Sequence, residues 1–519
     1  MAATSPDAPV MGESDVAAWL ASGKPFGAGS PVRRIDTHAA SVFLTGDRAW
    51  KLKRPVRYNY LDFSTADRRR DVLATELRLN RRTAPKLYLA VHSITRDAHD
   101  QLAIDGEGEI VDWLLEMRRF PGAALWDDIA RHGKLDDRAL THLTDQLVQF
   151  YHDADIMRTD RGAERLASVV EGNAVSMAAF PDVLDTHRVN ALSRDLRAQI
   201  ARHASLLDAR GRAGRIRHVH GDLHLANIAT INGVPTPFDC LEFDEQLATT
   251  DILYDIAFLL MDLWDRGLRH EANIVFNRYL DRSGPDEDGI ALFPLFMAVR
   301  ASIRAHVLAA QAARESGDGQ AATRAAEYLD LASTLISGGP ARLIAIGGLS
   351  GTGKSTLARA LGGAIGAPPG ARILRSDVLR KRMAGVEPET RLPVSAYTAS
   401  ASHAVYEELG RLAGQALAAG RAVIADAMFS QPAERDAIAA TSARAACRFD
   451  GIWLELPDDG RVDRVRARPV DASDADVQVA IAQSVAHVRP PANWKTLETA
   501  GETTGVVRKA CDLLGLAGF

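Results

Sequence analysis

The sequence predicts two folded domains in one chain, an α+β domain built as two lobes and then a doubly wound α/β domain on a parallel sheet. Three stretches carry that prediction. Ile35 to Pro55 alternates strand residues around Gly46-Asp47, as an antiparallel hairpin does. Ile228 to Ile231 and Val234 to Asp239 flank Asn232-Gly233, a second hairpin with a suitable turn dipeptide. Ala341 to Ile346 is a buried-strand run that leads into Gly347-Gly348-Leu349-Ser350-Gly351-Thr352-Gly353-Lys354-Ser355-Thr356 and then a helical pattern.

Length supports the division, because 519 residues exceed what one hydrophobic core usually serves. The expected plan is a flexible segment over 1–30, a first domain over 31–336 and a second over 341–519, with Ser337-Gly338-Gly339-Pro340 as the boundary. The strongly apolar stretches read as broken by charge before the ~18 residues of a spanning helix. Met1 to Ser30 also lacks the basic-then-apolar layout of a secretory leader, so the expectation is a cytoplasmic protein without a membrane role. Cys240, Cys447 and Cys511 are widely spaced and odd in number, which argues against a disulfide framework and against a Cys-rich zinc site. A net charge of -5 with interspersed signs gives no basic face for nucleic acid.

The first domain is organised around His220-Gly221-Asp222-Leu223-His224-Leu225-Ala226-Asn227-Ile228. An acid and an amide five residues apart are the spacing at which a kinase orients an attacking hydroxyl with Asp and holds magnesium with Asn. Asp222 is therefore the candidate base and Asn227 a candidate metal ligand. The hairpin that follows ends in Asp239, the candidate second ligand bridging magnesium to the phosphates of ATP. Glu242 and Asp244 read as solvated or structural. The His-Gly-Asp form resembles the aminoglycoside phosphotransferase and choline kinase branch, which phosphorylates small molecules. That resemblance implies a bilobal, protein-kinase-like domain.

The kinase-like plan needs a phosphate lysine, and Lys51 and Lys53 lie two apart on the predicted strand, pointing to one face. Lys51 is the first choice and Lys53 the alternative. No Gly-x-Gly-x-x-Gly precedes them, so Thr37 to Ser41 would cover the phosphates with small side chains and backbone N–H groups. Ser64 to Arg82 reads as the next helix, in which Glu76 is the acid placed to hold the lysine, while Asp67 and Asp71 read as capping or surface groups. Arg54 to Thr65 together with Glu76 to Arg82 resembles a family of uncharacterised bacterial phosphotransferase-like proteins. Asp112 to Pro121 sits where a kinase has its hinge, so Glu116, Met117 and Arg118 are adenine-site candidates by position. Leu140, Leu143, Leu147, Phe150 and Tyr151 recur at helical spacing as core. Asp251 and Asp255 stand a turn apart, and the resemblance implies that they brace the catalytic loop.

The second domain carries a complete Walker A sequence. Gly348, Ser350, Gly351, Thr352 and Gly353 would wrap phosphates with backbone N–H groups, Lys354 would reach the β- and γ-phosphates, and Ser355, followed by Thr356, would bind magnesium. The remainder resembles the gluconate, polynucleotide and chloramphenicol kinases. By that resemblance Asp377, after Ile373 to Ser376, is the general-base candidate and Asp426, ending Ala422 to Ala425, the Walker B analogue for magnesium. Arg461, Arg464, Arg466 and Arg468 crowd one segment, of which Arg464 and Arg468 suit a lid that reaches the transferring group. A salt-bridged surface helix is the alternative.

The chain thus reads as an ATP- and magnesium-dependent kinase acting on hydroxyl groups of small molecules such as sugars, amino sugars, aminoglycosides or nucleosides, with two nucleotide sites. Two alternatives stay open: a nucleotide-binding regulatory protein in which one domain is catalytically silent, and a P-loop switch that regulates the kinase half.

Overall fold

The structure is a computed structural model, which describes residues 15–27, 30–37, 39–58, 61–314, 319–467, 471–485 and 490–516. It divides into two compact units. The first comprises 1–135, 150–157 and 216–255, the second 136–149, 158–215 and 256–519.

In the first unit the predicted hairpin forms between strands Ala40–Thr45 and Arg48–Lys53, with Thr45 opposite Arg48 across Gly46-Asp47. It belongs to a six-stranded antiparallel sheet that continues through Glu109–Arg118 and Tyr88–Arg96 to Leu102–Ile104, with Arg33–Asp36 on the other edge. Alternation along a strand puts Leu114 and Leu115 on opposite faces, and each face is covered. On one lies helix Ala66–Asn80, capped by Thr65 and packed through Leu73 onto Tyr88 and Leu115. On the other lies Asp15–Ala21, a short helix whose Val16, Ala17 and Leu20 are buried with Phe43, Leu52, Ile94 and Leu114. The expectation of a flexible segment over 1–30 is corrected for 15–26, because apolar residues at helical spacing let this piece cover a sheet face. The second hairpin pairs Ile228–Ile231 with Val234–Pro237, so the strand read as far as Asp239 ends two residues sooner. Beside it Ile216–His218 pairs with Thr249–Asp251 and with Ile156–Met157.

The second unit contains a five-stranded, all-parallel sheet in the order Arg372–Arg375, Val423–Asp426, Arg342–Gly348, Arg448–Glu455, Lys495–Glu498. Its core joins Ile344, Ile346, Ile424 and Ile452 to Leu357 and Leu361 of helix Lys354–Gly362 and to Cys511 and Leu514 of helix Thr503–Leu514. Helices Gly162–Ala178, Thr186–Arg212, Phe293–Arg314 and Gly319–Ser337 pack on one another in the same unit. The divide expected at Ser337–Pro340 falls inside this unit. The stretch Asp286–Arg314 is long and apolar enough to cross a membrane, contrary to the expectation that charge interrupts every such run. Its buried Phe296, Val299 and Ala305 face other helices, which accounts for its apolar composition.

Helix Arg269–Ser283 closes the exposed edge of the parallel sheet. Asn277 accepts the N–H of Ile373 at 2.7 Å and donates to the carbonyl of Ala371 at 3.1 Å, as a neighbouring strand would. Asn273 donates to the carbonyls of Pro369 and Ala371, and Arg372 is buried against Glu287 and Asp281. The helix comes so near that a Cβ on Gly363 would stand 2.5 Å from the carbonyl oxygen of Arg269. Gly363 has helical φ −70°, so Ala there would gain up to about 1 kcal/mol of local propensity. Gly363→Ala should nevertheless destabilise the protein, by about 1–3 kcal/mol, because overpacking against backbone cannot be relieved by a rotamer change. Urea unfolding measures this, and a variant as stable as the parent would mean that the helix does not sit on the sheet.

Candidate active sites

In the first unit, strand geometry places Lys51 and Lys53 on one side of the sheet, and both ammonium groups end on Glu76 at 2.6 and 2.7 Å. Glu76 has no exposed surface. Lys51 also contacts Asp239 at 2.9 Å, from 188 residues away in sequence, and Lys53 contacts Glu242 at 2.6 Å. Burial works against charge on the Lys51 ammonium, but Asp239, Glu76 and Glu242 together hold its pKa well above the ordinary value. Burial likewise opposes the Glu76 carboxylate, and the two lysines outweigh it, so its pKa falls to about 2. Burial raises the pKa of Glu242, which Lys53 only partly offsets.

Helix Ala66–Asn80 is tied to the Asp239 segment by the same chain of contacts. Asn80, buried at its end, accepts the N–H of Cys240 at 2.8 Å, and the Tyr88 hydroxyl accepts the N–H of Asp239 at 3.1 Å. Asp239 itself lies at φ 61°, a left-handed turn that closes the hairpin strand. On the loop side, Phe238 donates to the Asn227 carbonyl at 2.9 Å and Leu241 to the His220 carbonyl at 2.9 Å, which brings the two candidate metal ligands together. Asn227 turns its amide nitrogen to Asp222 Oδ2 at 2.8 Å, and His224 Nε2 stands 3.4 Å from the same oxygen. Asp255 braces the loop by accepting the N–H of Gly221 at 2.8 Å, the N–H of His220 at 3.3 Å and the Tyr151 hydroxyl at 3.0 Å. Asp251, just before helix Ile252–Asp265, accepts the N–H of Leu253 at 2.8 Å.

Two other candidate segments make contacts of their own. Met117 packs with Leu73, Leu87, Tyr88 and Leu115, and the amides of Arg118 and Arg119 already donate to Leu87 and Asp47. The turn before Ala40 spends its polar groups on itself: Thr37 Oγ1 accepts the N–H of Ala40, and Ser41 donates to Asp36. His38 of that turn lies outside the described residues.

In the second unit the loop after strand Arg342–Gly348 has glycines at φ 140°, 87° and 92° for Gly348, Gly351 and Gly353. A Cβ on Gly351 would come within 2.5 Å of the Arg461 carbonyl oxygen, so only glycine lets the loop close there. Ser350 gives its N–H to Gln483 Oε1 at 2.8 Å, and buried Arg461 donates to the Ser350 carbonyl at 3.1 Å. Arg461 is thus part of the loop's support and not of a lid. Lys354 Nζ lies 3.0 Å from the Leu349 carbonyl at the start of helix Lys354–Gly362. Ser355 donates to Asp426 at 2.5 Å. Asp377 stands in the first turn of helix Ser376–Met383, and burial raises its pKa against the pull of Arg375. Lys354, Thr356, Asp377, Asp426 and Arg464 line one cleft of about 1580 Å³. Arg464 donates to the Thr499 carbonyl at 2.6 Å, Arg466 pairs with Asp463 on the surface, and Arg468 lies outside the described residues.

Both sites have the chemistry to hold a nucleotide with magnesium. Asn227, Asp239, Ser355 and Asp426 offer hard oxygen donors, and the glycine loop leading into a helix N-terminus is a cradle for phosphate.

Residues 343–491 match the family model described as an AAA domain. The chain is 29% identical over 478 residues to an uncharacterized protein of Mycobacterium tuberculosis, covering 90% of this chain and 92% of that one, and equally to its counterpart in Mycobacterium bovis. Among solved structures, a choline/ethanolamine kinase family protein from Mesorhizobium loti is similar at 13% identity, with 62% of this chain and 94% of that chain covered and a TM-score of 0.38. A gluconokinase from Sinorhizobium meliloti is similar at 19% identity, with 34% and 92% covered and a TM-score of 0.25.

Sequence reading gave no role to Tyr88, His224 or Gln483, and of its two readings for Glu242, solvated or structural, the buried contact with Lys53 fits the structural one. His224 stands inside the His220 to Ile228 stretch but at a spacing that assigns it no role, and Tyr88 and Gln483 lie in no pattern that spacing marks.

The Glu76 carboxylate yields a pH prediction. Its folded pKa is depressed, so its contribution is fully present above about 4.5 and is lost as pH falls toward about 2. Glu76→Gln should flatten the acid side of the stability curve over that window and destabilise the protein at pH 7 by about 3–5 kcal/mol, the usual cost of removing one partner from a buried ion pair. Chemical denaturation between pH 7 and pH 2.5 reads both effects, and an unchanged acid slope would remove Glu76 from the charge network.

Proposed function

We propose that the protein is an ATP- and magnesium-dependent phosphotransferase acting on hydroxyl groups of small molecules, with one nucleotide site in each unit. The observation that carries this reading is Lys51, one ammonium in contact with both Glu76 and Asp239 beside the paired Asp222 and Asn227. A phosphate-binding cation, a metal acid and a base collected from distant parts of the chain are what phosphoryl transfer to an alcohol requires. The second unit repeats the set with Lys354, Ser355 with Asp426, and Asp377.

In the first site Lys51 would bind the α- and β-phosphates while Glu76 holds it in place. Asn227 and Asp239 would hold magnesium, which when bound neutralises charge on the phosphates. Asp222 would orient the acceptor hydroxyl and take its proton as the alcohol oxygen bonds to the γ-phosphorus and ADP departs. In the second site the glycine loop and Lys354 would bind the phosphates, and Asp377 would take the acceptor proton. Acceptors in the class of sugars, amino sugars, aminoglycosides and nucleosides fit this chemistry.

Titration of the full chain with ATP and magnesium should give two sites per molecule, and Lys51→Ala and Lys354→Ala should each remove one of them. Asp222→Asn should keep nucleotide binding and cut transfer by roughly 10²–10⁴-fold, the worth of a positioned base. Asn227→Ala and Asp239→Ala should instead weaken magnesium-dependent binding. A screen of the four acceptor classes for ADP release, run on wild type, Asp222→Asn and Lys354→Ala, assigns each substrate to its site. If Asp222→Asn transfers as fast as wild type, the role given to that residue is wrong. For transfer at the second site, the raised pKa of Asp377 should place the acid limb of the rate profile above the 3.8 of an ordinary aspartate, and Asp377→Asn should abolish that limb.

A further inference from the structure

The cleft of the second unit is walled partly by residues far upstream of its phosphate loop. Asp145 of helix Asp137–Asp153 and Asn277, Arg278 and Asp281 of helix Arg269–Ser283 line it together with Lys354 and Asp377. Its volume of about 1580 Å³ exceeds the roughly 300–1,000 Å³ that one drug-sized ligand fills, which leaves room for a nucleotide and an acceptor side by side.

Arg278 is the hinge point of that wall. Its guanidinium forks onto both oxygens of Asp145 at 2.7 Å and reaches Glu389 at 2.7 Å. One turn along the helix, Arg282 pairs with Glu387. Two arginines therefore hold two acids of the loop that follows helix Ser376–Met383, the helix whose first turn carries Asp377. The far side of the loop is tied to a different segment. Leu392 donates its N–H to Asp474 at 3.0 Å, Lys381 meets the same carboxylate at 2.6 Å, and Arg391 pairs with Asp476 at 3.0 Å. Leu392, Pro393, Val394 and Tyr397 of this loop all face the cleft.

We propose that Arg278 is a positioning residue for the second site: by clamping Glu389 it fixes the loop over 386–397 as the acceptor-side wall, so that helix Arg269–Ser283 sets the width of the pocket in front of Asp377. This rests on the reading of that cleft as a phosphotransfer site. Arginine suits the role because its planar fork grips two carboxylates at once, which a lysine ammonium does not do with the same geometry.

Hydrogen exchange on the full chain, with ATP and magnesium as the binding probe, tests it. Arg278→Ala should speed exchange of the amides over 386–392, Leu392 among them, by about threefold or more, the scale for loss of partly exposed ion pairs. Nucleotide affinity at the Lys354 site should stay within about twofold, because no phosphate contact is altered. Glu389→Gln should speed the same amides, the double variant should add nothing beyond the larger single effect, and Arg278→Lys should fall between wild type and Arg278→Ala. The proposal is overturned if loop exchange in Arg278→Ala matches wild type, or if exchange rises equally in strand Arg372–Arg375, which would mean general loosening. Failure of the phosphotransfer reading looks different: Lys354→Ala would then leave nucleotide binding unchanged, whatever the loop does.

Discussion

Glu76 is the point on which the first site depends. A carboxylate with no exposed surface is sustained there because two lysines converge on it, and Asp239, Glu76 and Glu242 in turn hold the charge on Lys51 against burial. Buried charges of this kind contribute little net stability when complete and cost several kcal/mol when broken. Their effect is geometric: Lys51 cannot leave its place without stranding a charge. The sheet, helix Ala66–Asn80 and the Asp239 segment are consequently fixed against one another at one atom cluster, and Asn80 and Tyr88 add backbone contacts to the same joint.

The second site is held by the opposite means. Around Gly348, Gly351 and Gly353 the backbone itself makes the cradle, and the supporting side chains, Arg461 and Gln483, act on the loop through its carbonyls and N–H groups. Charge is concentrated instead elsewhere along the cleft, where Arg375 is buried between Asp471 and Asp426. One chain thus contains a site preorganised by side-chain charge and another preorganised by main-chain conformation, and both can present cations and hard oxygens to a polyphosphate.

What was legible in the sequence follows from range. The two hairpins, the strand, loop and helix around Gly348 to Ser355, and Asp222 with Asn227 are set by neighbours within a few residues, and local patterning displays them. Lys51, Glu76 and Asp239 were nameable because kinase chemistry demands such groups, yet the convergence of Lys53 on the same carboxylate is a tertiary event with no local trace. The helix over 15–21 was obscured by its shortness. The grip of Asn273 and Asn277 on strand Arg372–Arg375 was invisible, since a buried asparagine in a helical pattern looks like any surface one until its partner strand is in view.

That grip also bears on how the chain is made. The strand that Asn273 and Asn277 satisfy lies some 96 residues further along. At about 5–20 residues per second, synthesis leaves the helix without it for roughly 5–20 s, while N-terminal elements have already begun to fold. During that interval the Asn277 amide has a local partner in Asn273 of its own helix, and water serves the polar atoms that the strand later satisfies. The edge of the parallel sheet is therefore closed by a helix that is synthesised before the strand it completes.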